Sequence, residues 1–87
     1  MIVKILKFGG EWCAPCRLLK EELKDFTLVP IEEIDIDENE ELCEKYKVRN
    51  IPLLVFLDKD DVEVNRNVGF IKKADLEERI NKINGNV

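Results

Sequence analysis

No histidine occurs among the 87 residues. That absence removes imidazole acid–base chemistry, histidine metal ligands and the usual catalytic triads together. Basic charge is in the minority, with 14 Lys and Arg against 19 Asp and Glu, for a net charge of −5. A nucleic-acid partner held by a basic footprint is therefore not expected. Long hydrophobic runs are missing as well. The longest, Ile51–Leu57 and Ile2–Leu6 with Lys4 interrupting, are far too short to span a bilayer. The N-terminus shows no charged region, apolar core or cleavage site of a signal peptide, so the expected address is the cytoplasm, with no membrane partner. Repeats, linkers and low-complexity stretches are also lacking, and residues 1–87 read as one domain, expected to be a monomer. Cysteine is scarce and odd in number, three in all. In a cytosolic chain that argues for redox chemistry or metal binding and against a disulfide scaffold.

What is present suffices for a small core. Hydrophobic residues make up 45% and charged residues 38% of the chain. A chain of this mass buries about 64% of its extended surface on folding. Ile2–Phe8 has apolar residues on both faces, as a central strand requires, and Gly9-Gly10 ends it. Residues 14–26 follow as a helix, with Cys16, Leu19, Leu23 and Phe26 along one face and Pro15 in the first turn, where no backbone donor is missed. Pro30–Ile36 is a second strand. Asp37 stands three residues before Glu40, a capping-box-like start for a short helix with Leu42, Cys43 and Tyr46 inside. Ile51–Leu57, the turn Asp58-Lys59-Asp60-Asp61 and Val62–Val68 form an antiparallel hairpin, which Gly69 closes. A last helix from Lys73 to Asn84 presents Leu76, Ile80 and Ile83, although Lys72 and Lys73 oppose its dipole and offer no cap. The order β-α-β-α-β-β-α predicts a four-stranded mixed sheet with helices on both faces, the first two strands parallel and the third antiparallel to the first.

The chemistry concentrates in Trp12-Cys13-Ala14-Pro15-Cys16, between a strand end and a helix start. Free backbone N–H groups and the positive end of the helix dipole stabilise a thiolate on Cys13. Cys16, one turn into the helix, is close enough to attack a mixed disulfide on Cys13. Cys43, on the inner face of a short helix, reads as a small core hydrophobe. Phe8, Phe26 and Phe56 read as core, and Phe70, just beyond Gly69, as exposed. Two other classes compete. Zinc needs four ligands, and only two cysteines are well placed, so a zinc ion or iron–sulfur cluster would have to be shared between two chains. A non-enzymatic interaction module would keep its role without either cysteine.

The chain resembles the thioredoxin family. The resemblance rests on Phe8, Glu11-Trp12-Cys13-Ala14-Pro15-Cys16-Arg17, Ile36-Asp37, Tyr46, Val48-Arg49-Asn50-Ile51-Pro52 and Val68-Gly69, and it covers nearly the whole chain. It begins at the family's active-site strand, which implies the minimal thioredoxin fold without the preceding strand and helix. It implies a thiol–disulfide oxidoreductase that reduces protein disulfides, with Cys13 attacking and Cys16 resolving. The dithiol itself would be the redox group, with no bound cofactor. A thioredoxin-reductase-like enzyme or glutathione would supply electrons, and a glutaredoxin-like, glutathione-dependent redoxin is the nearest alternative. Pro52 would be a cis-proline facing the disulfide, with Ile51 offering backbone hydrogen bonds to an extended target. Trp12, Ala14, Pro15, Ile51, Val68, Gly69 and Phe70 would form an apolar docking surface. Three positions depart from the family pattern. Lys7 stands where most members carry a buried aspartate, and Glu33 where they usually carry its lysine partner. A charge-swapped pair beneath Cys16 would favour thiolate and raise the reduction potential. A Lys7 that reaches water at the strand end would do neither. Leu53 replaces the usual threonine after Pro52.

Overall fold

In a computed structural model, which describes residues 1–86, the elements are β1 (Lys4–Gly9), α1 (Ala14–Glu22), β2 (Ile31–Asp35), α2 (Glu40–Lys45), β3 (Leu53–Leu57), β4 (Glu63–Val68) and α3 (Lys73–Asn84). The sheet order is β2-β1-β3-β4. β1 runs parallel to β2 and antiparallel to β3, and β3 is antiparallel to β4. This is the β-α-β-α-β-β-α arrangement read from the sequence.

Alternation along the strands sorts the core into two layers. Ile5, Leu54 and Phe56 pack with Leu19, Leu23 and Phe26 from the α1 side and with Leu76 and Ile80 of α3. Leu6, Phe8, Leu53, Val55 and Leu57 point the other way, onto Tyr46 and the half-buried Leu42 and Cys43 of α2. β3 is buried at every position, as a strand covered on both faces must be. α1 and α3 thus share one face of the sheet and α2 covers the other.

The boundaries differ from the sequence expectation where side chains and backbone make distant bonds. α1 stops at Glu22. Lys24 and Phe26 then donate to carbonyls three residues back, Glu21 and Leu23, a tighter turn that still buries Phe26. β3 begins at Leu53, because Pro52 has no N–H for the ladder. The expected capping box at Asp37 does not form. The N-cap of α2 is Asn39, whose side chain makes no cap bond, and the Asp37 carboxylate accepts instead from the Trp12 indole. Ile83 is 38% exposed, so the buried face of α3 is Leu76 and Ile80 alone. The poor start of α3 is relieved from outside: the backbone N–H of Lys73 donates to Glu22 Oε2 at 2.8 Å. A carboxylate there suits both the orphan donors and the dipole. The turn 58–61 forms as read, with Asp58 Oδ1 accepting from the N–H groups of Asp60 and Val62.

Candidate functional site

β1 delivers the chain to Gly9-Gly10, and the backbone N–H of Cys13 donates to Gly10 O at 3.1 Å. Both glycines answer to close approaches. A Cβ on Gly9 would stand 3.0 Å from Cys16 Sγ, and one on Gly10 would stand 2.7 Å from Trp12 Nε1. Either would press on the site itself.

Cys13 is the N-cap of α1, and its sulfur accepts the backbone N–H of Cys16 at 3.3 Å. A sulfur so placed occupies the position where helix N-termini prefer an anion. Pro15 costs the first turn nothing. Cys13 and Cys16 are joined as a disulfide with their Cα atoms 5.2 Å apart, and both are nearly buried, at 7% and 9% exposure.

Around this pair lies an exposed apolar rim. Trp12 is 63% exposed, and its indole N–H donates to Asp37 Oδ2 at 2.9 Å. Ala14 and Pro15 are exposed on the first turn of α1. Pro52 is buried, follows a cis peptide bond from Ile51, and accepts the backbone N–H of Gly69 at 2.8 Å. Gly69 has φ +89°, a left-handed conformation that glycine adopts without Cβ strain. It leads from the exposed Val68 to the exposed Phe70. Ile51 is half-buried, and among the described residues its backbone N–H and C=O have no main-chain partner.

A groove of about 730 Å³ opens beside Cys16, with Lys7, Gly9, Arg17, Lys20, Glu33 and Pro52 among its walls. Lys7 Nζ lies 2.8 Å from Glu33 Oε1, and Lys20 Nζ lies 3.9 Å from Glu33 Oε2. The Lys7 side chain is only 11% exposed while Glu33 is 55% exposed, so the cation is the sheltered member. The bond from Lys7 holds the Glu33 carboxyl below the usual carboxylate range, against a smaller opposing effect of burial. A lowered carboxyl stabilises the fold above the ordinary carboxylate range, and that stability is lost as pH falls through the lowered value.

Cys43 stays apart from this chemistry. It packs on the α2 face of the sheet, opposite α1, and burial pushes its thiol upward, helped by Asp37 and Glu40. Among the described residues, no three His, Cys, Asp or Glu side chains come together as a metal site, and no helix is long and apolar enough to cross a membrane. Asp37 enters the site from outside its own stretch of sequence. The bond from Asp37 to Trp12 spans 25 residues and left no local signal.

The thioredoxin family model matches residues 2–82. A thioredoxin of Bacillus subtilis (strain 168) is 38% identical over 85 residues, covering 92% of this chain and 81% of that protein. A thioredoxin of Chlamydia pneumoniae is 43% identical over 82 residues, covering 90% and 79%. Among solved structures, a mutant thioredoxin from Halobacterium salinarum NRC-1 superposes with a TM-score of 0.82 at 30% identity, covering 91% of this chain and 72% of that one. A cysteine pair capping a helix, a proline beside it and this β-α-β-α-β-β-α sheet agree with those matches: the chain belongs to the thioredoxin family and is a thiol–disulfide oxidoreductase working through Cys13 and Cys16.

Proposed function

We propose that the chain reduces disulfides of target proteins, with Cys13 as the attacking thiolate and Cys16 as the resolving thiol. The observation that carries this assignment is the position of Cys13 Sγ as the α1 N-cap, accepting the Cys16 N–H. In the reduced protein the same donor and the helix dipole favour negative charge on that sulfur. The thiolate attacks one sulfur of the target disulfide. A bond forms from Cys13 to that sulfur, the target S–S bond breaks, and the departing thiolate takes up a proton. Cys16 then loses its proton and attacks Cys13 Sγ, which releases the second target sulfur as a thiol. Two electrons and two protons pass to the target, and the Cys13–Cys16 disulfide remains.

The family's own disulfide is its redox group, so this cycle needs no bound cofactor. A reductase of the thioredoxin-reductase type, or glutathione, regenerates the dithiol, and the cytoplasm is the compartment where a dithiol persists. Trp12, Ala14, Pro15, Val68, Gly69 and Phe70 form the docking surface, and Ile51 and Pro52 present backbone to the target. The Ile51 amide, without a main-chain partner among the described residues, and the exposure of Trp12, Val68 and Phe70 support that assignment. Residues 1–87 act as one domain and as a monomer. Mixing reduced protein with excess oxidised insulin tests the direction. One target disulfide should open per chain, with the protein recovered oxidised; insulin left intact contradicts the proposal.

Lys7 acts on Cys16 through charge. Sheltered in the groove that Cys16 lines, its ammonium favours thiolate and so stabilises the reduced state. Glu33 offsets part of that field, which keeps the effect modest. Lys7→Met should lower the reduction potential by about 10–30 mV and raise the Cys16 thiol titration. A variant with both quantities unchanged would leave Lys7 a purely structural residue.

A further inference from the structure

Leu18 stands on the outer side of α1, exposed, yet it does not face open water alone. With Phe70 it frames a second cavity of about 560 Å³, whose other walls are Glu21, Glu22, Lys24 and Asp25. Neither Leu18 nor Phe70 belongs to either core cluster. Phe70 directly follows Gly69, whose N–H is tied to Pro52, so the cavity begins where the apolar rim of the disulfide ends. Two large apolar side chains, 64% and 48% exposed, facing one concavity are a surface that water covers poorly.

The walls carry three carboxylates against one ammonium. Lys24 Nζ is engaged by Glu21 Oε1 at 2.7 Å, and one Glu22 oxygen accepts from Lys73. Asp25 makes no ion pair among the described residues. An apolar floor with surplus negative charge selects an apolar group next to a cation. A second copy of this chain, at net charge −5, is a poor match.

We propose that this cavity is a target-recognition subsite, taking an apolar side chain and then a Lys or Arg from the segment beside the target's reactive cysteine. The proposal rests on the reading of the chain as a reductant of protein disulfides. Spacing follows from element geometry. Leu18 lies five residues beyond Cys13, roughly 7–8 Å along the helix axis. An extended segment advances about 3.3 Å per residue, so the apolar residue stands roughly two or three positions from the target cysteine. Glu21 and Glu22 lie about one helical turn further, which places the basic residue roughly one or two positions beyond it.

Two disulfide-linked peptides test this, alike except that one carries Leu and Lys at those positions and the other Ser and Glu. The small probe bis(2-hydroxyethyl) disulfide, too short to reach the cavity, reports the redox pair alone. The native protein should favour the Leu/Lys peptide about tenfold in kcat/KM. Leu18→Ser and Asp25→Lys should each erase about threefold of that preference and leave the small probe unchanged. Equal rates on the two peptides, or a preference that survives both substitutions, overturn the subsite while the disulfide chemistry stands. A matching loss on the small probe also overturns it, because the substitutions then act on the redox pair. A native protein inert towards all three disulfides overturns the reductant reading, and the subsite with it.

Discussion

Cys13→Ser should reduce turnover of a protein disulfide to the uncatalysed rate, while Cys16→Ser should stop the cycle halfway with the target attached. The two outcomes differ because the two sulfurs differ in position. Cys13 Sγ sits at the helix N-terminus and accepts a backbone N–H, the reason it is proposed as the nucleophile. A serine oxygen keeps the capping bond, since serine is a preferred N-cap, but a hydroxyl at neutral pH attacks no disulfide. The loss is then chemical, and unfolding of the variant remains close to that of the reduced native chain, which also lacks the Cys13–Cys16 bond. In Cys16→Ser the first attack proceeds and nothing resolves the product. One target should accumulate per chain as a mixed disulfide on Cys13, stable without reductant and released by dithiothreitol. Mass spectrometry of non-reduced peptides locates the bond. A mixed disulfide on Cys43, or turnover surviving in Cys13→Ser, would contradict the assignment.

The second large effect is structural. Phe8 is fully buried between β2 and β3, opposite Ile34 and Leu53, and its ring lies 5.9 Å from that of Tyr46 at a tilted 56°. Phe8→Ala removes the largest side chain that the sheet packs against the α2 side and leaves a cavity beneath it. Such truncations cost about 3–5 kcal/mol, against a whole stability on the order of 5–10 kcal/mol for a domain of this size. The urea midpoint should fall by a large fraction, and part of the population should unfold at physiological temperature. Phe8 also precedes Gly9, which lies against Cys16, so thiol reactivity should become less uniform before global unfolding. A midpoint shift worth less than about 1 kcal/mol would mean that the site relaxes around the void.

Much of this architecture is local in origin and could be read residue by residue. The limits of α3 at Lys73 and Asn84, the turn built on Asp58, and the strand-to-helix placement of Cys13 depend on neighbours a few positions away. Elements that depend on distant partners were hidden. Asp37 reads as a helix cap, yet Trp12 claims its carboxylate from 25 residues away. Nothing in the neighbouring sequence marks Glu22, yet its carboxylate accepts the Lys73 N–H at the start of α3 across 51 residues. Ile2 begins no strand. Its N–H and C=O are held by the Asn84 side-chain amide at 2.7 and 3.2 Å, bonds that span 82 residues. The same logic applies at the site. Cys13 and Cys16 announce themselves by spacing, whereas the meeting of Leu18 with Phe70 exists only once α1 and the segment after β4 lie side by side.

In the proposed cycle Cys13, and not Cys16, is the reactive thiolate. Alkylation of the reduced protein by iodoacetamide across pH, with each cysteine followed by mass spectrometry, tests it directly. Cys13 should be modified first, with a titration below that of an ordinary thiol, while Cys16 and Cys43 lag. Faster modification of Cys16, or a Cys13 that titrates like a free thiol, would contradict it.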